Sequence, residues 1–265
     1  MKSKTSPTSA DARAFTLIEL LVVIGIIGVL AGLLVGTLGG ARFKARVTSC
    51  ANNYRQWGVS VALYASDDKM GRLPSLSLPL AKFSGYGELS PWFVPLGMAR
   101  QMEPYGIGVN QWFCPARASS FERASKNFTL RNPGRRLNDI ASLTQHWEEE
   151  FKFFGDMEHN WFVPRTLEGS DQLFPDPKVV TSREPAGWPR RMEDPVGATQ
   201  PILTDWVLGV WNDEKTAINI SGGHEFPRFF TRNINLLFVD GHVENRSKSK
   251  LIWQINFPRD FVIPY

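Results

Sequence analysis

From Leu17 to Leu38 the chain runs for 22 residues with a single charge, Glu19. As a helix this stretch is roughly 33 Å long at 1.5 Å per residue, which matches the hydrocarbon core of a bilayer. A soluble helix shows one polar face, and this one has none. The segment is therefore read as membrane-inserting. The rest of the 265 residues is ordinary globular material: 43% hydrophobic and 21% charged residues exclude a mainly disordered chain. Thirty basic against 26 acidic residues leave a net charge of +4, dispersed along the chain, so no nucleic-acid partner is expected.

Charge alone does not orient the segment. Lys2, Lys4 and Arg13 precede it, and Arg42, Lys44 and Arg46 follow it. A short basic stretch before an apolar run resembles an export signal, which places the N-terminus inside and the remainder outside. Three fates are open: an uncleaved anchor, a signal peptide cut after Ala41, or a chain cut ahead of the apolar run. The first Cys after the segment is Cys50, too late for a lipoprotein.

Glu19 discriminates between these fates. An acidic side chain costs roughly 2.5 to 3.5 kcal/mol at the centre of a membrane helix and less near an end. A lone Glu can snorkel to the headgroups. The segment holds no Lys or Arg to pair with it. A cut before Phe15 would create a partner, an α-amino group that could neutralise Glu19 of a neighbouring subunit. Arg13-Ala14-Phe15-Thr16-Leu17-Ile18-Glu19-Leu20-Leu21-Val22-Val23-Ile24 resembles the class III signal of type IV prepilins and type II secretion pseudopilins. The resemblance implies cleavage by a prepilin peptidase between Ala14 and Phe15, N-methylation of Phe15, and assembly through Glu19, which stands at the family's fifth mature position. Ala14 replaces the usual Gly, and the helix lacks the Pro that many pilins carry near the position of Gly36. Gly28, Gly32 and Gly36 share one face and permit close helix–helix approach, although glycine is also common in membrane helices generally.

Val47, Tyr54, Trp57, Val61 and Tyr64 recur mainly three and four residues apart, so the helix is expected to continue to about residue 66 with a buried face. Gly58 is a weak point within it. Asp67-Asp68 precede Gly71 and Pro74 and mark the stop. Residues 71–108 read as irregular structure that packs through Phe83, Trp92 and Phe93. A short helix is expected around 145–157, and a long surface insertion over 164–201. Strands are expected at 202–208 and 234–239, with Asp240-Gly241 turning the chain into His242-Val243-Glu244. The fold class is α+β: a leader (1–14), a long helix (15–66, membrane-spanning over 17–38) and an exported antiparallel head (67–265). Cys50 to Gly58, Tyr64 to Asp68 with Gly71 and Pro74, Phe113-Cys114-Pro115 and Leu237 to Val243 are similar to the heads of large pilin-like proteins of planctomycetes and verrucomicrobia. Those heads carry a His ten residues before the Asp of DG. Here the nearest upstream His is His224, sixteen residues before Asp240.

The only cysteines, Cys50 and Cys114, are expected to pair as a disulfide if the head is exported. The alternative is two separate buried thiols. No metal or cofactor is expected. The weak metal candidates are His224, Asp240 and His242, with Asp67 and Asp68 as a remote calcium option. His146, Glu150 and His159 lack metal-site spacing and read as solvated polar residues. The sequence has no Walker A loop, HExxH or GxSxG. The expectation is a structural subunit and not an enzyme: an inner-membrane, single-pass protein with a cytoplasmic N-terminus and a head in the periplasm or on a filament. Its partners would be a prepilin peptidase, other pilin-like subunits and the inner membrane. The competing readings are a membrane-tethered module binding glycan or peptide and, third, an anchored hydrolase.

Overall fold

Cys50, Tyr54, Trp57 and Val61 are all buried at helical spacing, which explains why the long helix continues past the apolar run. The computed structural model describes residues 16–78, 90–169, 173–174, 187–211, 217–225, 231–251, 253–257 and 261–264. Helix α1 (Leu17–Asp67) contributes to two compact units, residues 1–44 and 45–265. In the first unit every described side chain from Leu17 to Leu34 is exposed. Exposed apolar surface of this extent marks contact with lipid or with other protein. Among the described residues, α1 is the one helix long and apolar enough to cross a membrane.

The second unit is the head, and it is built on the latter part of α1. Trp57 meets Trp112 edge-on at 4.9 Å and Trp112 meets Trp147 edge-on at 5.2 Å, while Trp161 lies tilted against Trp57 at 5.7 Å. Edge-on geometry suits the aromatic quadrupole. The Trp57 indole N–H donates to the Gln111 carbonyl at 3.0 Å. Gly58 is where the helix comes closest to the sheet: a Cβ there would lie 3.1 Å from Leu237 and 3.2 Å from the Gly241 Cα. The expected weak point in the helix is thus a close-approach point.

Three shorter helices cover this core: α2 (Gly97–Met102), α3 (Ala118–Arg131) and α4 (Ile140–Phe151). α4 starts earlier than expected because Asp139 caps it, accepting from the Ser142 N–H at 2.7 Å. It ends at Phe151 because Lys152 turns left-handed, at φ 68°. α3 was not anticipated, since its buried side is only Ser120, Ala124 and Phe128 in an otherwise polar run. α2 lies inside the stretch expected to be irregular. Phe83 lies outside the described residues.

The strands are β1 (Phe93–Pro95), β2 (Phe154–Asp156), β3 (His159–Trp161), β4 (Arg165–Thr166), β5 (Leu173–Phe174), β6 (Leu203–Asp205), β7 (Val207–Trp211), β8 (Ala217–Gly222), β9 (His224–Glu225), β10 (Thr231–Leu237), β11 (Val243–Ser247), β12 (Trp253–Phe257) and β13 (Phe261–Pro264). One sheet runs β11-β10-β6-β3, with β9 also paired to β10. A second runs β12-β13-β7-β8, and β1-β2 and β4-β5 form two-stranded pairs. All these pairings are antiparallel. A long helix followed by antiparallel sheets is the expected α+β, pilin-like arrangement. The expected strand 202–208 is in fact two strands, broken at Trp206. Residues 164–201 are not simply a surface insertion: Arg165, Leu167 and Trp188 are buried, and Trp188 stacks on Phe162 at 4.4 Å.

Two measurements test this account of the head. A Cβ on Gly155 would lie 2.4 Å from the ring of Trp147, which is buried and cannot swing away. Gly155→Ala should therefore destabilise the head by ~1–3 kcal/mol, read by thermal unfolding of the full chain in micelles. An unchanged midpoint would contradict the tight fit. In the same strand, burial and then the Glu158 charge raise the Asp156 carboxyl to about 7, against the pull of Arg117 and Arg123. An unfolded carboxyl titrates near ~4. Between these values the unfolded chain has lost the proton while the folded head keeps it. Stability contributed here therefore falls as pH rises through that window, and the penalty is complete above about 7. Asp156→Asn should stabilise the head by ~1–2 kcal/mol at high pH, and its advantage should vanish towards pH ~4. An advantage that does not vary with pH would contradict the assignment.

Candidate functional site

The start of α1 is built from two polar side chains. The Thr16 N–H and hydroxyl donate to Glu19 Oε2 at 2.9 and 2.8 Å, and the Glu19 N–H points back to Thr16 Oγ1 at 3.3 Å. This reciprocal arrangement is a capping box, and it satisfies backbone donors that a helix start leaves open. It also places the Glu19 carboxylate in the first turn, where the helix dipole favours negative charge. Ala14 and Phe15 lie outside the described residues. A Cβ on Gly28 or Gly32 would meet nothing within 4 Å, so both positions are open to a partner. Gly36 lies in the same helix, but its surroundings are outside those described.

The second constellation lies inside the head. Asp205 closes β6, His224 opens β9, His159 opens β3, Cys50 and Tyr54 sit one turn apart on α1, and Cys114 immediately precedes the turn Pro115–Arg117. All six are at most 1% exposed. Tyr54 Oη donates to Asp205 Oδ1 at 3.0 Å and lies 3.2 Å from His159 Nδ1. The Asn235 backbone N–H donates to Asp205 Oδ2 at 2.7 Å. Cys50 Sγ lies 3.4 Å from Asp205 Oδ1, and His224 Nε2 lies 3.0 Å from Oδ2. His224 Nδ1 is 2.7 Å from Asn233 Oδ1. An amide oxygen can only accept, so Nδ1 carries the proton. The two sulfurs, expected to form a disulfide, are brought to 3.4 Å as free thiols.

These contacts move the titrations in ways that follow from charge. Burial pushes Asp205 up, but the His224 charge, His159 and the Asn235 N–H outweigh it and hold the carboxyl low. Burial pulls His224 down, while Asp205 and then Cys114 carry it above its ordinary value. Burial raises the Cys50 thiol, with Cys114 and Asp205 adding to the rise. Cys114 falls despite burial, because Cys50 and His224 favour its thiolate. One donor atom from each of Cys50, Cys114, Asp205 and His224 lies within 4.8 Å of all the others. Among the described residues, these are the ones in the head grouped closely enough to hold a cation.

Residues 10–35 match the prokaryotic N-terminal methylation motif. The chain carries a prepilin-type cleavage and methylation segment. The matched stretch includes Ala14, Phe15, the Thr16–Glu19 cap, Gly28 and Gly32. No curated protein and no solved structure matches the chain.

The remaining candidates are dispersed. Asp240 and His242 serve the exposed turn after β10: the His242 N–H donates to Asp240 Oδ1 at 3.0 Å, and its ring stacks on Phe238 at 4.2 Å. Both are exposed, whereas His224 is buried beside Asp205. Asp68 pairs with Arg72, and Asp67 accepts from the Tyr105 hydroxyl. Glu150 pairs with Arg131. His146 and His159 are buried, contrary to the expectation that they are solvated. Asp205 was missed outright. The signal was present: Ile202-Leu203-Thr204-Asp205-Trp206-Val207 sets a carboxylate in an apolar run, the same anomaly that singled out Glu19.

If Asp205 organises this site, removing its hydroxyl partner should register. Tyr54→Phe should cost ~1.5–3 kcal/mol of unfolding free energy, the range for a bond to a charged group. Denaturant unfolding of the full chain would measure it, and a loss below ~0.5 kcal/mol would show that the bond contributes little.

Proposed function

We propose that this protein is a pilin- or pseudopilin-like structural subunit, made as a precursor and assembled through its N-terminal helix. The match of residues 10–35 to the methylation motif carries this reading. A prepilin peptidase cuts between Ala14 and Phe15 and methylates the new amine. Residues 17–38 hold the subunit in the inner membrane, with residues 67–265 as an exported head. Assembly then draws the apolar surface of α1 out of lipid and against the helices of other subunits in a type IV pilus-like or type II secretion filament.

Glu19 gives this step its specificity. A carboxylate within lipid is costly until it meets a cation, and the new α-amine of a neighbouring subunit is a cation at matching depth. Thr16 keeps the carboxylate hydrogen-bonded before that neighbour arrives. Gly28, Gly32 and Gly36 supply the close-approach face. The head is a displayed structural body and not an enzyme.

Mass spectrometry of protein from native membranes tests the first step. The expected mature chain begins with N-methylated Phe15. A chain beginning at Met1 or at Arg42 would overturn the reading. Glu19→Ala should insert and be processed normally yet fail to enter filaments, and wild-type filament levels would remove Glu19 from the assembly step.

A further inference from the structure

We propose that Cys50, Cys114, Asp205 and His224 form a structural site for one thiophilic divalent cation, with zinc the ion that fits the donor set. This inference rests on the head alone and does not depend on the filament reading.

The donors are two sulfurs, one imidazole nitrogen and one carboxylate oxygen, the ligand types and number of a closed tetrahedral zinc site. Their spacing fits as well. With zinc bonds of about 2.3 Å to sulfur, two tetrahedral sulfurs lie about 3.8 Å apart. With bonds of about 2.0–2.2 Å to nitrogen and oxygen, those ligands lie about 3.3–3.5 Å apart. The sulfurs are at 3.4 Å, and His224 Nε2 and Asp205 Oδ2 are at 3.0 Å. A cation entering the cluster would spread these two pairs by a few tenths of an ångström and draw in the wider donor pairs, which lie up to 4.8 Å apart.

The orientation of the groups is more telling than their proximity. Asn233 fixes the His224 tautomer through Nδ1, which leaves Nε2 to face the cluster. Nε2 is fully buried and makes no hydrogen bond of acceptable geometry, even with Asp205 Oδ2 at 3.0 Å. Donor atoms of Cys50, Cys114 and Asp205 all lie within 4.8 Å of that nitrogen. Asp205 is held from outside by the Tyr54 hydroxyl on Oδ1 and the Asn235 N–H on Oδ2. Hydrogen bonds behind both the imidazole and the carboxylate are the outer support that metal ligands carry.

Ligand chemistry supplies the driving force. Among the described residues, the side chains in polar contact with the four ligands include Tyr54, His159, Asn160, Thr204 and Asn233, and none is a permanent cation. Two thiols, an imidazole and a carboxylate, each at most 1% exposed, form a donor set sealed from water. Binding displaces the two thiol protons and the Nε2 proton of His224 to solvent and leaves two thiolates and a neutral imidazole on the metal. The ligands come from α1, the turn before Pro115, β6 and β9, so one ion fastens four separate parts of the head together.

The test uses the full chain in detergent micelles, reduced under anaerobic conditions and dialysed against chelator-treated buffer. After zinc is added and excess removed, elemental analysis should find one zinc per chain. Zinc should also raise the thermal midpoint of the head. Cobalt in its place should give thiolate charge-transfer absorption and the intense visible bands of a tetrahedral ion. Cys114→Ser should bind at least tenfold more weakly and lose the charge-transfer band in part. His224→Cys keeps a ligand and should retain binding even if His224→Ala does not fold. Reduced wild-type protein that takes up no zinc would overturn the site. So would cobalt bound without sulfur absorption, which would place the metal elsewhere. A Cys50–Cys114 disulfide that forms in air as readily with zinc present as without it would also overturn the site, because dioxygen would then be oxidising sulfurs that a bound metal should hold.

Discussion

The head depends on one buried carboxylate. Asp205 is 1% exposed, and an uncompensated charge at such depth costs several kcal/mol. It is tolerated because groups from α1, β3, β9 and β10 converge on it: Tyr54, His159, His224 and the Asn235 N–H. Each of those groups in turn requires its element to lie at one place and in one register. Asn235 can donate to Oδ2 only with β10 beside β6, and those strands pair Leu236 with Thr204. Tyr54 can reach Oδ1 only if that face of α1 turns inward, and the same rotation buries Trp57 and Val61 against the tryptophans. The apolar core supplies most of the driving force, as it does in globular domains generally. The carboxylate selects which of many apolar arrangements is used.

Glu19 and Asp205 are the same physical problem solved twice. Both are carboxylates set in apolar sequence. Asp205 is satisfied wholly within its own chain, by partners far apart in sequence. Among the described residues, Glu19 is hydrogen-bonded by Thr16, three residues away, at a helix start whose described side chains through Leu34 are exposed. A folded head can bring its own counter-groups to a charge, whereas a lone apolar helix has nothing beyond its own backbone and nearest side chains. That is the physical reason an isolated acidic residue in such a helix reads as an assembly residue.

What the sequence made legible follows the same division between local and distant. The long helix, the Asp240-Gly241 turn and the late strands rest on periodicity and turn chemistry, which act over a few residues. α3 escaped notice because three buried residues in fourteen make too thin a stripe. The Cys50, Cys114, Asp205 and His224 cluster could not be read from spacing, because its members are brought together by strand register and not by proximity in the chain. His224 illustrates this. It stands nineteen residues after Asp205 and 110 after Cys114 in the sequence. Yet β9 folds back along β10 and sets His224 opposite Asn233, with a register shift between Thr231 and Asn233. Five residues separate β9 from β10, and closing a loop lengthened by a few residues costs well under ~1 kcal/mol. A histidine distant in sequence is thus delivered to the sheet by antiparallel pairing.

α1 contributes to both units, so the exposed apolar surface from Leu17 to Leu34 and the surface that packs in the head are parts of one helix. Whatever acts on the first must be borne by the second. Apolar contacts of Trp57 and Val61 resist separation but slide readily, since dispersion is non-directional and each contact is weak. A directional attachment is needed at a defined height on the helix, and Cys50 and Tyr54 provide it through Asp205. A cation shared by Cys50 with Cys114, Asp205 and His224 turns that hydrogen-bonded attachment into a coordinated one, joined to the helix, a turn and two strands at once. Its ligands are buried, so the attachment is shielded from exchange with solvent.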